Sequence, residues 1–183
     1  MIIGISGKVC SGKDYTSKFI KNYFPDKNFE IKHFGYDVKK ITSLLTGINM
    51  KTILSRKAKQ IYLPEWGMTL GEMFQKVGTD CLRSNLHEDV WILSLFSKYS
   101  DDQNWIISDV RFNNEANYIK DHGGIIIRLN GDPMDMVKFE TRDLKHRSEI
   151  ELDNYNRFDI LFDNKVDANF KELIEMIKIK LNI

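Results

Sequence analysis

The sequence predicts an α/β fold: a five-stranded parallel sheet in a three-layer αβα arrangement, with a lid region over one edge. Three observations carry this. Short β-branched or aromatic runs alternate with longer segments of helical periodicity. Trp105-Ile106-Ile107 and Ile125-Ile126-Ile127 are apolar at every position, as strands covered on both faces must be. The apolar run Ile2–Ile5 leads into Gly7-Lys8-Val9-Cys10-Ser11-Gly12-Lys13, a G-x-x-x-x-G-K turn with a helical segment behind it.

Taken in order, Ile2–Ser6 reads as the first strand and Asp14–Phe24 as the helix launched from the glycine turn. Phe29–Phe34 is a second strand, followed by a helix over Asp37–Leu45. Leu70–Leu86 and Asp89–Tyr99 carry helical spacing before the third strand, Trp105–Asp109. A helix over Asn113–Asp121 stops at Gly123-Gly124, ahead of the fourth strand, Ile125–Leu129. Phe158–Phe162 is the fifth strand. Ala168–Leu181 closes the chain as an amphipathic helix with Phe170, Leu173, Ile174 and Ile177 on one face. Between strands four and five, residues 131–152 are polar, charged and strand-free. A loop of that length, with Arg142, His146 and Arg147 in it, predicts a mobile lid. A solvated pair of charged helices is the alternative.

Bulk properties narrow the function. A length of 183 residues fits one domain, 1–183, with a full core. The formal net charge of +1 gives no basic footprint for nucleic acid, and no run approaches a membrane span. Two cysteines, Cys10 and Cys81, make no disulfide framework, which points to a reduced, cytoplasmic setting. Lysines outnumber arginines twenty to seven. Each arginine, a planar fork for phosphate, therefore carries more information than a lysine.

The glycine turn is a phosphate-binding loop by pattern and context. Its amides turn inward, the following helix adds partial positive charge, and Lys13 supplies a mobile cation for the outer phosphates. Gly7, Lys8, Val9, Cys10, Ser11, Gly12, Lys13, Asp14 and Tyr15 form the candidate cradle for ATP. Asp14 stands where Ser or Thr usually contacts Mg²⁺. It either touches the metal, directly or through water, or caps the helix. Strand three ends in Asp109-Val110-Arg111, and Glu115 lies one turn on. Asp109 is a candidate for holding a metal-bound water or ordering Arg111, and Arg111 for clamping a second phosphate. The four histidines show no metal-site spacing, and no nucleophile–base pairing appears. A phosphate acceptor is already ionised and needs no general base, so a kinase with a phosphorylated acceptor fits.

At this point the chain resembles the phage-type deoxynucleoside monophosphate kinases, within the wider nucleoside monophosphate kinase fold. The resembling blocks are Ser11–Asp14, Phe34–Lys39, Gln75–Asp80, Asp89–Trp91, Asp109–Arg111 with Glu115, and His146–Glu149. They run in family order along nearly the whole chain, and the aspartate after the loop lysine is itself a family trait. The resemblance implies ATP and Mg²⁺ as cofactors, a nucleotide as small-molecule partner, and a homodimer. It implies that Lys39 holds the acceptor phosphate, that Gly78, Thr79 and Arg83 approach the acceptor nucleotide, and that Trp91 packs on its base. A buried helix face is the other reading of Trp91. Asp109, Arg111 and Glu115 would position the acceptor. Arg142, His146 and Arg147 would close over the transferring group, and Asp163–Lys165 would lie near the donor adenine. The animal-type phosphomevalonate kinases resemble the same blocks, with a Glu-x-x-Leu-Asp-Asn run like Glu149–Asn154. The longer middle section, with Trp66 and Trp91, favours a nucleotide acceptor. A GTP-binding switch would use Asn164-Lys165-Val166-Asp167 as N-K-x-D, but position 14 is not Ser or Thr and no D-x-x-G follows strand three.

Overall fold

The computed structural model describes residues 1–55, 57–135, 137 and 143–183. Five strands form one parallel sheet: β1 (Ile2–Gly7), β2 (Glu30–Lys32), β5 (Trp105–Val110), β6 (Ile125–Asn130) and β7 (Ile160–Asp163), in the spatial order β2-β5-β1-β6-β7. β1 is central: Ile2, Ile3 and Ile5 bury completely, and the strand pairs with β5 on one side and β6 on the other. The chain first winds outward from β1 to β2, and later crosses from β5 over to β6. The carboxyl end of β1 therefore lies at the switch point, where open α/β sheets take their ligands.

Alternate strand residues feed two cores. On one face Ile3, Ile5, Ile106, Ile125 and Ile127 meet α1 (Lys13–Tyr23) and α8 (Phe170–Leu181), with Leu173, Ile174 and Ile177 fully buried. On the other, Ile2, Ile107 and Ile126 pack with α2 (Gly35–Thr46), α4 (Leu70–Gln75), α5 (Val90–Phe96) and α6 (Asn113–Asp121). Each fully buried isoleucine contributes about 1.5–3 kcal/mol, so these two layers hold the sheet edge rigid.

The expected parallel sheet and flanking helices are present; β1, β5 and β6 each run one residue past their predicted ends, β2 spans only three residues, and β7 starts two residues later than predicted. The helix expected over Leu70–Leu86 changes its winding. After α4, which Thr69 and Glu72 start with a reciprocal capping box, Lys76–Arg83 opens into a wider, π-type helix. Three elements escaped the sequence reading: α3 (Met50–Ile53) and the small antiparallel pair β3 (Tyr62–Leu63) and β4 (Met68–Thr69). The far end of the expected lid is a folded segment, α7 (Arg147–Ile150) and a 3₁₀ turn, Glu151–Asn154, with Glu149 and Leu152 buried. No helix among the described residues is long and apolar enough to cross a membrane.

Candidate active site

The phosphate loop leaves the end of β1 and enters α1 at Gly12, whose φ of 84° suits glycine. A Cβ there would lie 2.3 Å from Asn164 Nδ2. That amide is why the approach is so close. Asn164, 3% exposed, follows β7 and donates from Nδ2 to the Ser11 carbonyl at 2.9 Å, while its own N–H reaches Asn130 O at 2.8 Å. The N-K-x-D asparagine thus braces the loop. Lys13 Nζ lies over the loop and donates to the carbonyls of Gly7 (2.8 Å) and Lys8 (2.7 Å). Val9 is buried, and Cys10 takes a left-handed turn with φ of 62°. Asp14 and Tyr15 are exposed in the first turn of α1, with the Tyr15 ring edge-on to Phe170.

Asp109 has a definite job at the end of β5. Its Oδ1 accepts from Phe34 N (2.8 Å) and its Oδ2 from Gly35 N (2.9 Å), so it clamps the N-terminus of α2. Both of its oxygens are thus taken by main-chain amides, and only its charge reaches Arg111. Lys39 rides on α2, half-buried, in the second turn.

Arg111 Nη1 donates to Ser148 O at 3.1 Å and forms an ion pair with Glu149. Desolvation opposes its charge, but Glu149, Asp109 and Glu115 together outweigh that and raise its pKa further. Glu149 also offers its main-chain carbonyl to Lys8 Nζ at 2.9 Å. Lys8 pairs in addition with Asp153, whose other oxygen takes Arg128 Nη2 at 3.0 Å. The segment Arg147–Asn154 is thereby fastened to the phosphate loop, to β5 and to β6 at once. Arg128 was read only as a strand residue, and Asp153 only as part of the Glu149–Asn154 run; neither was assigned to the site. The four-residue spacing of Glu149 and Asp153, one helical turn, was the signal available.

The other expected acceptor residues gather on a second network. Arg83, 2% exposed, forms a buried ion pair with Glu115, donates to Glu88 O (2.7 Å), and stacks its guanidinium 3.8 Å from the Phe112 ring centre. Glu115 accepts from the amides of Arg111 (2.8 Å) and Phe112 (3.2 Å), closing the first turn of α6. Burial pushes its pKa up to about 7 against the pull of Arg83 and those amides. Glu115, 2% exposed, therefore holds the fold around Arg111. Trp91 is 5% exposed and gives its Nε1–H to Gly78 O at 2.7 Å, so the packed helix face is the reading the geometry favours. Gly78 and Thr79 are buried in the π-type helix, where a Cβ on Gly78 would press Val38 at 3.3 Å. His146 caps α7, accepting from Ser148 N, and its Nε2 lies 3.2 Å from Asp80. Arg147 turns to Glu88 (3.0 Å) and Glu151. Arg142 lies outside the described residues.

No protein-family model matches the chain. A protein of Acanthamoeba polyphaga mimivirus, provisionally named deoxynucleotide monophosphate kinase, is 30% identical over 187 aligned positions, covering 93% of this chain and 92% of that one. Among solved structures, shikimate kinase from Aquifex aeolicus (TM-score 0.47, 18% identity, 100% of this chain and 96% of that one) is similar in outline. So is a gluconokinase from Sinorhizobium meliloti (TM-score 0.48, 12% identity, 98% and 90%). Nothing about this site follows from those two likenesses. The viral relative, matched over nine-tenths of both chains, settles the family: the chain belongs to the deoxynucleotide monophosphate kinases.

Proposed function

We propose that this protein transfers the γ-phosphoryl group of ATP to a (deoxy)nucleoside monophosphate, giving ADP and the nucleoside diphosphate. The observation that carries the reading is the meeting of two cations from different strand ends on one residue: Lys8 of the phosphate loop and Arg111 after β5 both bind Glu149. Two phosphorylated ligands, one on each strand end, would lie side by side at that edge. The named activity of the viral relative supports the nucleotide as acceptor.

In this reading the loop amides, the N-terminus of α1 and Lys13 bind the donor's outer phosphates. Arg111 meets the acceptor phosphate, with Lys39 on α2 as a second candidate cation. The acceptor oxygen is ionised, so alignment and charge compensation suffice. The donor set fits an Mg²⁺ carried in with the nucleotide. Asp14 is an exposed carboxylate next to Lys13, whereas both oxygens of Asp109 are engaged by amides, and no cluster of three acidic, His or Cys ligands occurs among the described residues. Bound there, the ion would neutralise charge on the β and γ oxygens.

The test is ADP formation from ATP with a panel of ribo- and deoxyribonucleoside monophosphates, and with mevalonate 5-phosphate alongside. Turnover with at least one nucleoside monophosphate is expected. Turnover confined to mevalonate 5-phosphate, or tight GTP binding with no transfer at all, rejects the proposal.

A further inference from the structure

We infer that Glu149 is a positioning residue for phosphoryl transfer: it holds Arg111 by one nitrogen so that the rest of the guanidinium faces the acceptor phosphate. The inference rests on the kinase reading above and adds a residue and a role to it.

The two side chains of this ion pair differ in access. That of Glu149 is 3% exposed and that of Arg111 is 22% exposed. A sealed carboxylate cannot touch a substrate, but the cation it holds can. Arg111 Nη1 carries both described contacts, to Glu149 Oε1 and to Ser148 O. Among the described residues, Nε and Nη2 donate to no protein group, and neither is a buried orphan. One corner of the fork is anchored and the other side is presented, which suits bidentate recognition of a phosphate.

The anchoring is thorough. Glu115 fixes the Arg111 main-chain N–H at 2.8 Å, so buried carboxylates restrain both ends of the residue. Glu149 sits in α7, whose first turn His146 caps, and its carbonyl takes Lys8 from the phosphate loop. Donor-side and acceptor-side cations are thereby referred to a single residue. Such preorganisation matters for a reaction whose barrier falls mainly through alignment and fixed charge. Burial also makes the pair mutually dependent, because either charge alone in that site is costly. Activity and stability must therefore be read separately.

The experiment compares Glu149→Ala, Glu149→Gln, Arg111→Ala and the Glu149→Ala/Arg111→Ala double variant. Glu149→Ala should lower kcat about tenfold or more, the scale of a misplaced catalytic group. It should raise the KM of the monophosphate, while the KM of ATP stays within about twofold because the Lys8 contact is to main chain. Glu149→Gln, which still accepts from Nη1, should recover most of the loss. In the Arg111→Ala background, Glu149→Ala should cost nothing further. Losses that multiply in the double variant, a rise in the KM of ATP equal to that of the acceptor, or a Gln variant as poor as Ala overturns the inference. Arg111 Nε–H is observed in parallel by ¹⁵N NMR, assigned by its loss in Arg111→Lys. A single slowly exchanging resonance should persist in Glu149→Gln and broaden in Glu149→Ala; an unchanged signal in Glu149→Ala also overturns the inference. If the wild type phosphorylates no monophosphate, the kinase reading has failed, and the NMR result still decides whether Glu149 holds Arg111.

Discussion

Lys13 lies on the carbonyls of its own loop, within reach of any phosphate the loop amides bind. Its replacement by Ala should lower transfer on the order of 10²-fold or more, as loss of a charge clamp does. Thermal stability should move far less than activity, since the hydrogen bonds of a partly exposed side chain contribute only about 1 kcal/mol net each. Steady-state kinetics beside a melting curve checks both; an active Lys13→Ala protein contradicts the donor assignment. Glu115 makes the opposite case, a residue expected at the acceptor whose partners are structural. Its folded pKa, about 7, stands above the ordinary 4.5, so the native state keeps its proton to higher pH than the unfolded chain does. That part of the stability is complete below pH 4.5 and is lost as pH rises through 7. Glu115→Gln removes the titration, so its stability relative to wild type should climb between pH 4.5 and 8. Urea denaturation across this range is the measurement, and a pH-independent difference rejects the assignment.

At the scale of elements, the phosphate loop owes its shape to the chain segment that follows β7. Asn164→Ala removes the buried hydrogen bond to Ser11 O and should destabilise the protein by about 1–3 kcal/mol. It should also raise the KM of ATP several-fold with little effect on that of the acceptor. An unaltered KM of ATP means the loop holds itself. The contrast shows what a sequence can convey. Strands β1, β5 and β6 were legible because burial on both faces demands unbroken apolar runs. The glycine turn was legible because backbone conformation restricts residue type. Asn164 was visible only as part of an N-K-x-D string, because its partner lies 153 positions away. The π-type winding of Lys76–Arg83 was hidden for a related reason: its composition suits any helix, and packing of Gly78 on Val38 with the Trp91 bond to Gly78 selects it. The β3–β4 pair is two residues per strand, too short for an alternation to register.

Across the whole molecule, the cations that gather at the sheet's carboxyl edge are matched by acids from the Arg147–Asn154 segment. Glu149 holds Arg111, Asp153 holds both Lys8 and Arg128, and Glu151 holds Arg147. The net charge of +1 therefore conceals a locally neutralised site, which explains why composition alone could not mark it. Neutralisation has a consequence for binding: a polyanion entering here must compete with carboxylates already bound to its partners. Asp153 is the most accessible of these acids that touches the phosphate loop, at 38% side-chain exposure. Asp153→Asn keeps a hydrogen-bond acceptor for Lys8 but removes one negative charge shared by two cations. Exposed ion pairs of this kind are worth about 0.2–1 kcal/mol, so affinity for ATP should rise up to about fivefold. The gain should shrink as ionic strength increases and the charges are screened. Isothermal titration with ATP at low and high salt reads both effects. Weaker ATP binding by Asp153→Asn at low salt would mean that Asp153 is needed to set Lys8 in place, and that fastening outweighs competition at this edge.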